Sequence, residues 1–151
     1  MGRGAISLVR ISGSDLTFLS QKLKLKNLVN KKAIVKEIQL NDSFKEKCVL
    51  TFFKSPNSFT GEDVLEISCH GNPLIVELII DFFVDLGCRR AGPGEFSLRA
   101  FINGKLSYLE AEAIDDLINS ENELQLNASA RSLGGEFEKK IDSFIDELLK
   151  L

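Results

Sequence analysis

One short segment, NSFTGEDVLEISCHGNP at residues 57–73, holds the only histidine of the chain. Its alternation of polar and apolar residues predicts a β-strand with one polar face, formed by Glu66, Ser68 and His70. The other face is apolar and includes Cys69. Because Cys69 and His70 are neighbours, they point to opposite faces and cannot form a thiolate–imidazole pair. We therefore interpret His70 as structural, with a direct binding role as the alternative, and we expect no catalytic residue.

Glu66 is the stronger candidate for binding, since a carboxylate among core residues costs several kcal/mol unless it finds partners. Two interpretations stay open for it. Glu66 lies on an exposed face or forms an ion pair with Arg89, Arg90 or Arg99, or it accepts hydrogen bonds from a ligand with paired N–H donors. Arg10 presents the same choice between an ion pair and a clamp for a ligand carboxylate.

A nucleotide-binding loop is absent from the sequence. FINGKLS contains Gly104 and Lys105, but Arg99 stands where the phosphate-binding motif requires glycine. Leu106 stands where that motif has the magnesium-binding Ser or Thr. NKKA places Ala33 where a guanine-reading NKxD motif has aspartate. We therefore do not expect this stretch to hydrolyse GTP.

The cysteines favour a reduced interior rather than a metal site. Cys48, Cys69 and Cys88 are odd in number and share no ligand spacing, and only one histidine is present to join them. We predict buried thiols in a cytoplasmic protein, with no metal bound. The most apolar segment, residues 74–86, is interrupted by acidic residues and predicts a packed helix, so we expect no membrane association.

Charge is unevenly distributed along the chain. Residues 1–54 hold 11 Lys and Arg against 4 Asp and Glu, whereas residues 55–151 hold 8 against 18. A basic amino-terminal third is compatible with weak, salt-sensitive association with nucleic acid. Solvated lysine-rich loops explain the same composition.

Periodicity predicts an α+β order of elements. The predicted strands are residues 5–12, 31–40, 45–53, the strand in 57–73 and a short strand at 88–91. The predicted helices are residues 14–23, 74–86 and 96–102, and one that begins at a capping box formed by Ser107 and Glu110.

The carboxy-terminal tail predicts one long amphipathic helix. Its apolar residues recur at spacings of three and four: Leu133, Phe137, Ile141, Phe144, Leu148 and Leu151. This pattern differs from the alternation before it. We therefore predict two domains, residues 1–118 and residues 119–151, the second being the first part of a helical domain completed elsewhere.

Three motifs, GRGAISLVRISG, PNSFTGEDVLEISCHGNP and GPGEFSLRAFINGKLSYLEAEAIDDLI, carry a resemblance to a known family. In this order they resemble the amino-terminal domain of the MnmE (TrmE) tRNA modification GTPases, over roughly residues 2–120. The resemblance implies an α+β fold with a mixed sheet and packed helices, similar to the folate-binding module of glycine-cleavage T-proteins. It also implies binding of 5-formyltetrahydrofolate and homodimer formation.

The resemblance further implies a function for the whole protein. The family works with the FAD-containing MnmG, in a heterotetramer-type complex, to install an aminomethyl-type group on carbon 5 of the tRNA wobble uridine. GTP, potassium and magnesium bind in a separate G domain, which we expect to be absent here. Carried over by motif position, the folate contacts fall on Arg10, Glu66 and Lys105, with Glu66 as acceptor for the pterin.

The chain also departs from the family pattern. Met1 directly precedes Gly2 where the family usually has a further strand, and Asn72 and Gly92 replace a common glycine and a common arginine. A missing strand would leave a sheet edge unpaired. Two alternatives follow: a dimerisation platform with an incomplete folate pocket, or a T-protein-like aminomethyltransferase.

Overall fold

The computed structural model describes residues 4–25 and 28–149, which fall into two compact units, Met1–Gly92 and Pro93–Leu151. The first unit is an antiparallel sheet with two helices. Its elements are β1 (Ile6–Gly13), α1 (Thr17–Lys22), β2 (Ala33–Asn41), β3 (Phe44–Phe53), β4 (Asp63–His70) and α2 (Pro73–Asp85). The predicted α+β class is confirmed.

The sheet has the strand order β1-β4-β3-β2, and every ladder between these strands is antiparallel. The expectation of a mixed sheet is therefore wrong for the described strands. The connections from β2 to β3 and from β3 to β4 are too short to contain the crossover that parallel neighbours need. A single parallel bridge, between Asn30 and Phe52, lies outside the ladders.

The core of the first unit lies between one sheet face, α1 and α2. The predicted apolar stripe of the first helix is confirmed, because Leu16, Leu19 and Leu23 are all buried. The inner rows of β3 and β4 are fully buried as well, as Leu50 and Leu65 show. Full burial of such a side chain contributes roughly 1.5–3 kcal/mol, so this layer fixes the face that each strand turns inward.

Helix α2 (Pro73–Asp85) begins and ends one residue before the predicted bounds of 74 and 86. The side chain of Asn72 accepts a hydrogen bond from Leu74 N at 2.9 Å, and Pro73 occupies the first turn. The predicted strand at residues 88–91 is wrong, since no strand is present there. Arg90 instead donates to Glu77 and Asp81 of α2, at 2.7 Å each.

The second unit contains α3 (Glu95–Ile102), α4 (Tyr108–Ile118), α5 (Glu123–Leu133) and α6 (Glu136–Leu148). The capping box at Ser107 and Glu110 is confirmed by both of its hydrogen bonds. None of the helices in the described ranges is both long and apolar enough to cross a membrane.

The prediction of one long tail helix is wrong. Two helices meet at Gly134 and Gly135, and Gly135 has a φ of 71°, which ends helical continuity. Leu133 belongs to α5, while Leu151 and the side chain of Phe137 lie outside the described part of the chain. The other predicted seam residues, Ile141, Phe144 and Leu148, are exposed on α6. A domain boundary at residue 118 stays a prediction.

Candidate functional site

Arg10 and Glu66 form an ion pair on the outer face of the sheet. They are directly opposite in the β1–β4 ladder. Arg10 Nε and Nη2 donate to Glu66 Oε1 at 3.0 and 2.7 Å. Their side chains are 31% and 23% exposed, so the pair is partly desolvated yet reachable from solvent. The structure thus selects Arg10 as the ion-pair partner of Glu66.

The arginines considered as alternatives have other partners. Arg90 pairs with Glu77 and Asp81 of α2, and Arg99 pairs with Glu95 one turn before it in α3. Glu66 therefore depends on β1 for its charge compensation.

The second carboxylate oxygen of Glu66, Oε2, is the acceptor of this site that is available to a ligand. Both described donors reach Oε1, and no described residue donates to Oε2. An ionised carboxylate has acceptor capacity on each oxygen. Glu66 can therefore accept a ligand N–H at Oε2 without losing its bonds to Arg10.

Phe59 adds an aromatic face to the pair. The Arg10 guanidinium carbon lies 5.1 Å from the centroid of the Phe59 ring, within range of a cation–π interaction. Phe59 is half-buried in the connection between β3 and β4, which we call the 54–63 loop. The ring and the carboxylate together restrict the orientation of the Arg10 guanidinium.

Buried polar groups hold the 54–63 loop in place. Asp63 is fully buried and accepts from Lys54 Nζ at 2.9 Å and from Ser55 N at 3.0 Å. Thr60 is also fully buried, and its hydroxyl lies 2.6 Å from the hydroxyl of Ser12 on β1. The loop is thus fixed at both ends and against β1, which keeps Phe59 beside Arg10.

Sequence reasoning missed several of these residues. Ser12 Oγ donates to Glu62 Oε2 at 2.7 Å, which brings a second carboxylate to the strand that carries Arg10. The signal for Ser12 was its spacing of two from Arg10, which places both on one strand face. The signal for Phe59 was a single aromatic residue within a turn-rich segment.

His70 has a structural partner in Glu46. Its Nδ1 lies 2.6 Å from Glu46 Oε1, and its backbone N donates to the same oxygen at 2.9 Å. Glu46 is only 3% exposed, on the inward face of β3. The sequence signal for Glu46, also missed, was its spacing of two from the buried Cys48.

The cysteines offer no nucleophile. All three are free, and Cys48 and Cys69 are buried, which confirms Cys69 as a core residue. Burial raises the pKa of Cys48 to about 12, with further contributions from Glu46 and Cys69. Burial also raises the pKa values of Cys69 and Cys88. These thiols are therefore protonated and unreactive near neutral pH.

Lys105, the third predicted contact, lies in the second unit and is exposed. It directly follows Gly104, whose φ of 66° closes α3. Lys105 N donates to Ala100 O at 2.8 Å and Gly104 N donates to Phe101 O at 3.0 Å, which together form a Schellman motif. The turn thus fixes the backbone at Lys105, and its binding role stays a prediction.

Among the described residues, no three His, Cys, Asp or Glu side chains are grouped so that they could hold a metal ion. What the arrangement offers is a partly desolvated carboxylate, a fixed guanidinium and an aromatic face. Such a set suits a flat ligand with N–H donors on one edge.

Comparisons with known proteins identify relatives of this chain. Residues 1–105 match the family model described as GTP-binding protein TrmE N-terminus. A protein of Francisella philomiragia named tRNA modification GTPase MnmE is 43% identical over 150 residues, covering 99% of this chain and 33% of that relative. A protein of Thermotoga maritima with the same name is 43% identical over 152 residues, covering 99% and 34%. The chain spans about a third of the length of these relatives.

Proposed function

The chain belongs to the TrmE amino-terminal family, and we propose that it binds a reduced folate, 5-formyltetrahydrofolate, as part of a tRNA modification GTPase. The observation that carries the proposal is the half-buried Arg10–Glu66 pair, with Glu66 Oε2 open to a ligand donor.

The pterin ring of a folate fits the chemistry of Glu66. One edge of that ring carries two neighbouring N–H donors, and a carboxylate is the side chain best suited to accept both. Partial burial strengthens such bonds, because competing water is reduced. Phe59 supplies an aromatic surface beside Arg10, the ion-pair partner of this carboxylate.

Two cations complete the proposed contacts. Arg10 and Lys105 meet the ring carbonyl, the formyl oxygen or the glutamate tail of the ligand, each of which carries negative or partial negative charge. The folate supplies the one-carbon chemistry when bound, and this chain supplies orientation and electrostatics. Arg10 is better placed for orientation, since Glu66 and Phe59 already restrict its guanidinium.

Homodimer formation is part of the proposal. The outer sheet face that carries Arg10 and Glu66 also exposes Ile6 (73%), Leu8 (52%) and Val49 (38%). β1 is an edge strand of the sheet. Exposed apolar residues beside an open edge favour coverage by another chain. We assign that coverage to a second copy.

The names of the relatives support a tRNA modification GTPase as the whole protein, and its finer activity is proposed from the family resemblance. We propose that the assembly joins MnmG, which carries FAD, and modifies carbon 5 of the wobble uridine of tRNA. GTP, potassium and magnesium then belong to a G domain outside this chain. Three free cysteines support a reducing, cytoplasmic setting.

Calorimetric titration with 5-formyltetrahydrofolate tests folate binding. The control ligand is p-aminobenzoylglutamate, which keeps the tail and lacks the pterin. We expect the complete folate to bind at least about tenfold more tightly, because only it presents donors to Glu66. Equal affinity for the two ligands would contradict pterin recognition.

Sedimentation of the same samples separates the alternatives. A folate-binding dimer agrees with the proposal. A dimer without folate binding indicates a dimerisation platform, and release of a one-carbon product indicates a T-protein-like aminomethyltransferase.

A further inference from the structure

A cleft of about 540 Å³ lies along strand β2, at the sheet edge opposite β1. Its walls are the end of α1, residues 35–39 of β2, Lys45 of β3 and Phe82 of α2. Strands β4 and β3 separate β2 from the strand that carries Arg10. The folate proposal makes no use of this cleft.

The open edge of β2 is the first feature of the cleft. β2 pairs only with β3 among the described strands, so its other edge presents unpaired backbone N–H and C=O groups. No hydrogen bond from another described backbone segment reaches that edge. An extended polypeptide is the ligand that satisfies such a row of groups.

Lysines surround this edge. Lys22, Lys24, Lys36 and Lys45 line the cleft, and Glu37 is the only acidic residue that does. None of these lysines forms an ion pair with a residue in the described ranges. The cleft therefore carries a net positive charge that favours an acidic ligand.

Lys24 is held in the cleft wall by an unusual backbone conformation. Its φ is 51°, in the left-handed region that normally favours glycine. Lys24 N donates to Gln21 O at 3.0 Å and Leu25 N donates to Ser20 O at 2.8 Å, which is a Schellman motif. A lysine thus occupies a position for which backbone geometry alone prefers glycine.

Apart from Gln39, the rest of the lining is apolar. Leu23 and Ile38 are 4% and 3% exposed, and Phe82 is half-buried. Alternate side chains of an added strand would face this surface. A single-stranded RNA would instead need aromatic faces for its bases, and Phe82 is the one aromatic residue of the lining.

We propose that the β2 cleft binds an acidic polypeptide segment in extended conformation, which adds to the sheet beside β2. Backbone hydrogen bonds along the edge give the segment its direction. The lysines pair with acidic side chains of the segment. The apolar residues of the cleft contact the side chains that alternate with those acidic ones.

Fluorescence anisotropy with a labelled synthetic peptide tests this proposal on the 151-residue chain. The probe is a peptide of about seven residues, a usual strand length, that alternates Glu with Val or Thr. A second peptide carries N-methyl groups on alternate residues of one edge, and a third carries the same groups on the other edge. We expect one methylated peptide to lose binding at least about tenfold and the other to retain it, because an added strand uses only one edge for pairing.

Charge variants test the lysines. Lys24→Gly removes one positive charge from the cleft, and glycine favours the positive φ at this position. Peptide binding should therefore weaken a few-fold, and the free energy of unfolding should not decrease. Lys36→Gln combined with Lys45→Gln should weaken binding by about five- to tenfold. Lys47→Gln, on β3 and outside the cleft, is the matched control and should leave binding unchanged.

Three results would overturn the proposal. In the first, both methylated peptides lose binding equally. In the second, the cleft variants and the Lys47 control change peptide affinity by the same factor. In the third, a labelled oligouridylate binds more tightly than the acidic peptide. The last result would assign the cleft to RNA.

Discussion

Arg10 donates to a single oxygen of Glu66 from two of its nitrogens, at 3.0 Å from Nε and 2.7 Å from Nη2. The two residues are 56 positions apart in sequence and lie on different strands. Its geometry compensates the charge of Glu66 while leaving Oε2 accessible. A preformed site of this kind lowers the cost of binding, because the two side chains are already ordered.

Replacing Phe59 tests the contribution of its ring. We expect Phe59→Leu to weaken folate binding by about two- to fivefold, since a cation–π contact at a partly exposed site contributes about 0.5–1 kcal/mol. Titration calorimetry measures the change. Phe18→Leu, at an exposed position on α1, is the control. A Phe59 variant with unchanged affinity would exclude the ring from the site.

Replacing Asp63 tests the support of the 54–63 loop. We expect Asp63→Asn to lower the free energy of unfolding by about 1–3 kcal/mol, because Lys54 and Ser55 lose a charged, buried acceptor. Urea unfolding followed by circular dichroism measures the loss. Asp42→Asn, in the exposed turn between β2 and β3, should change little. Comparable stability of the two variants would show that the buried carboxylate does not hold the loop.

Replacing Gly71 tests how closely the chain approaches the end of β4. A Cβ at Gly71 would lie 2.1 Å from Gly4 O, which only a backbone shift can relieve. We expect Gly71→Ala to destabilise the fold by about 1–3 kcal/mol. Gly134→Ala is the matched control, because its Cβ would lie 3.4 Å from Arg131 O. If thermal unfolding shows equal stability, the close approach is not rigid.

Stability should fall at high pH because of Cys48. Its pKa rises from 9.0 to about 12 on folding. Above about pH 9 the unfolded thiol loses its proton while the folded thiol keeps it, so the folded state binds more protons and stability decreases with pH. The contribution of the Cys48 thiol to the free energy of unfolding is complete below about pH 9 and is lost as pH approaches 12. The free energy of unfolding then falls by up to about 1.4 kcal/mol per pH unit.

Urea unfolding at several pH values between about 8 and 11 measures this slope. Cys69, Cys88 and Tyr108, whose pKa values are also raised, add slopes of the same sign. Cys48→Ala should therefore flatten the profile without abolishing it. An identical slope in the variant would contradict protonation-linked burial of this thiol.

The sequence allowed much of the site to be predicted, but not its pairing. Alternation placed Glu66 on a polar strand face, the charge of Arg10 made it a second candidate, and family resemblance added Lys105. The pairing of Arg10 with Glu66 depends on the register between β1 and β4. That register is fixed by the buried rows of both strands, and local periodicity carries no information about it.

The errors have local causes as well. The mixed sheet was expected from resemblance, whereas two short connections between neighbouring strands produce antiparallel pairing. The long tail helix was predicted from apolar spacing alone, although Gly134 and Gly135 interrupt it. Connection length decides the strand directions in the first case, and backbone freedom at glycine outweighs the apolar spacing in the second.

The central claim, that Glu66 accepts the donor edge of a pterin, is tested most directly by titrating 5-formyltetrahydrofolate against Glu66→Gln. This variant keeps the size of the side chain and an oxygen for Arg10, and it replaces the other acceptor oxygen by a donor. We predict a loss of affinity of about ten- to hundredfold, as expected for hydrogen bonds to a charged acceptor. Asp42→Asn should bind like the unaltered chain. Equal folate affinity of Glu66→Gln and the unaltered chain would contradict the claim.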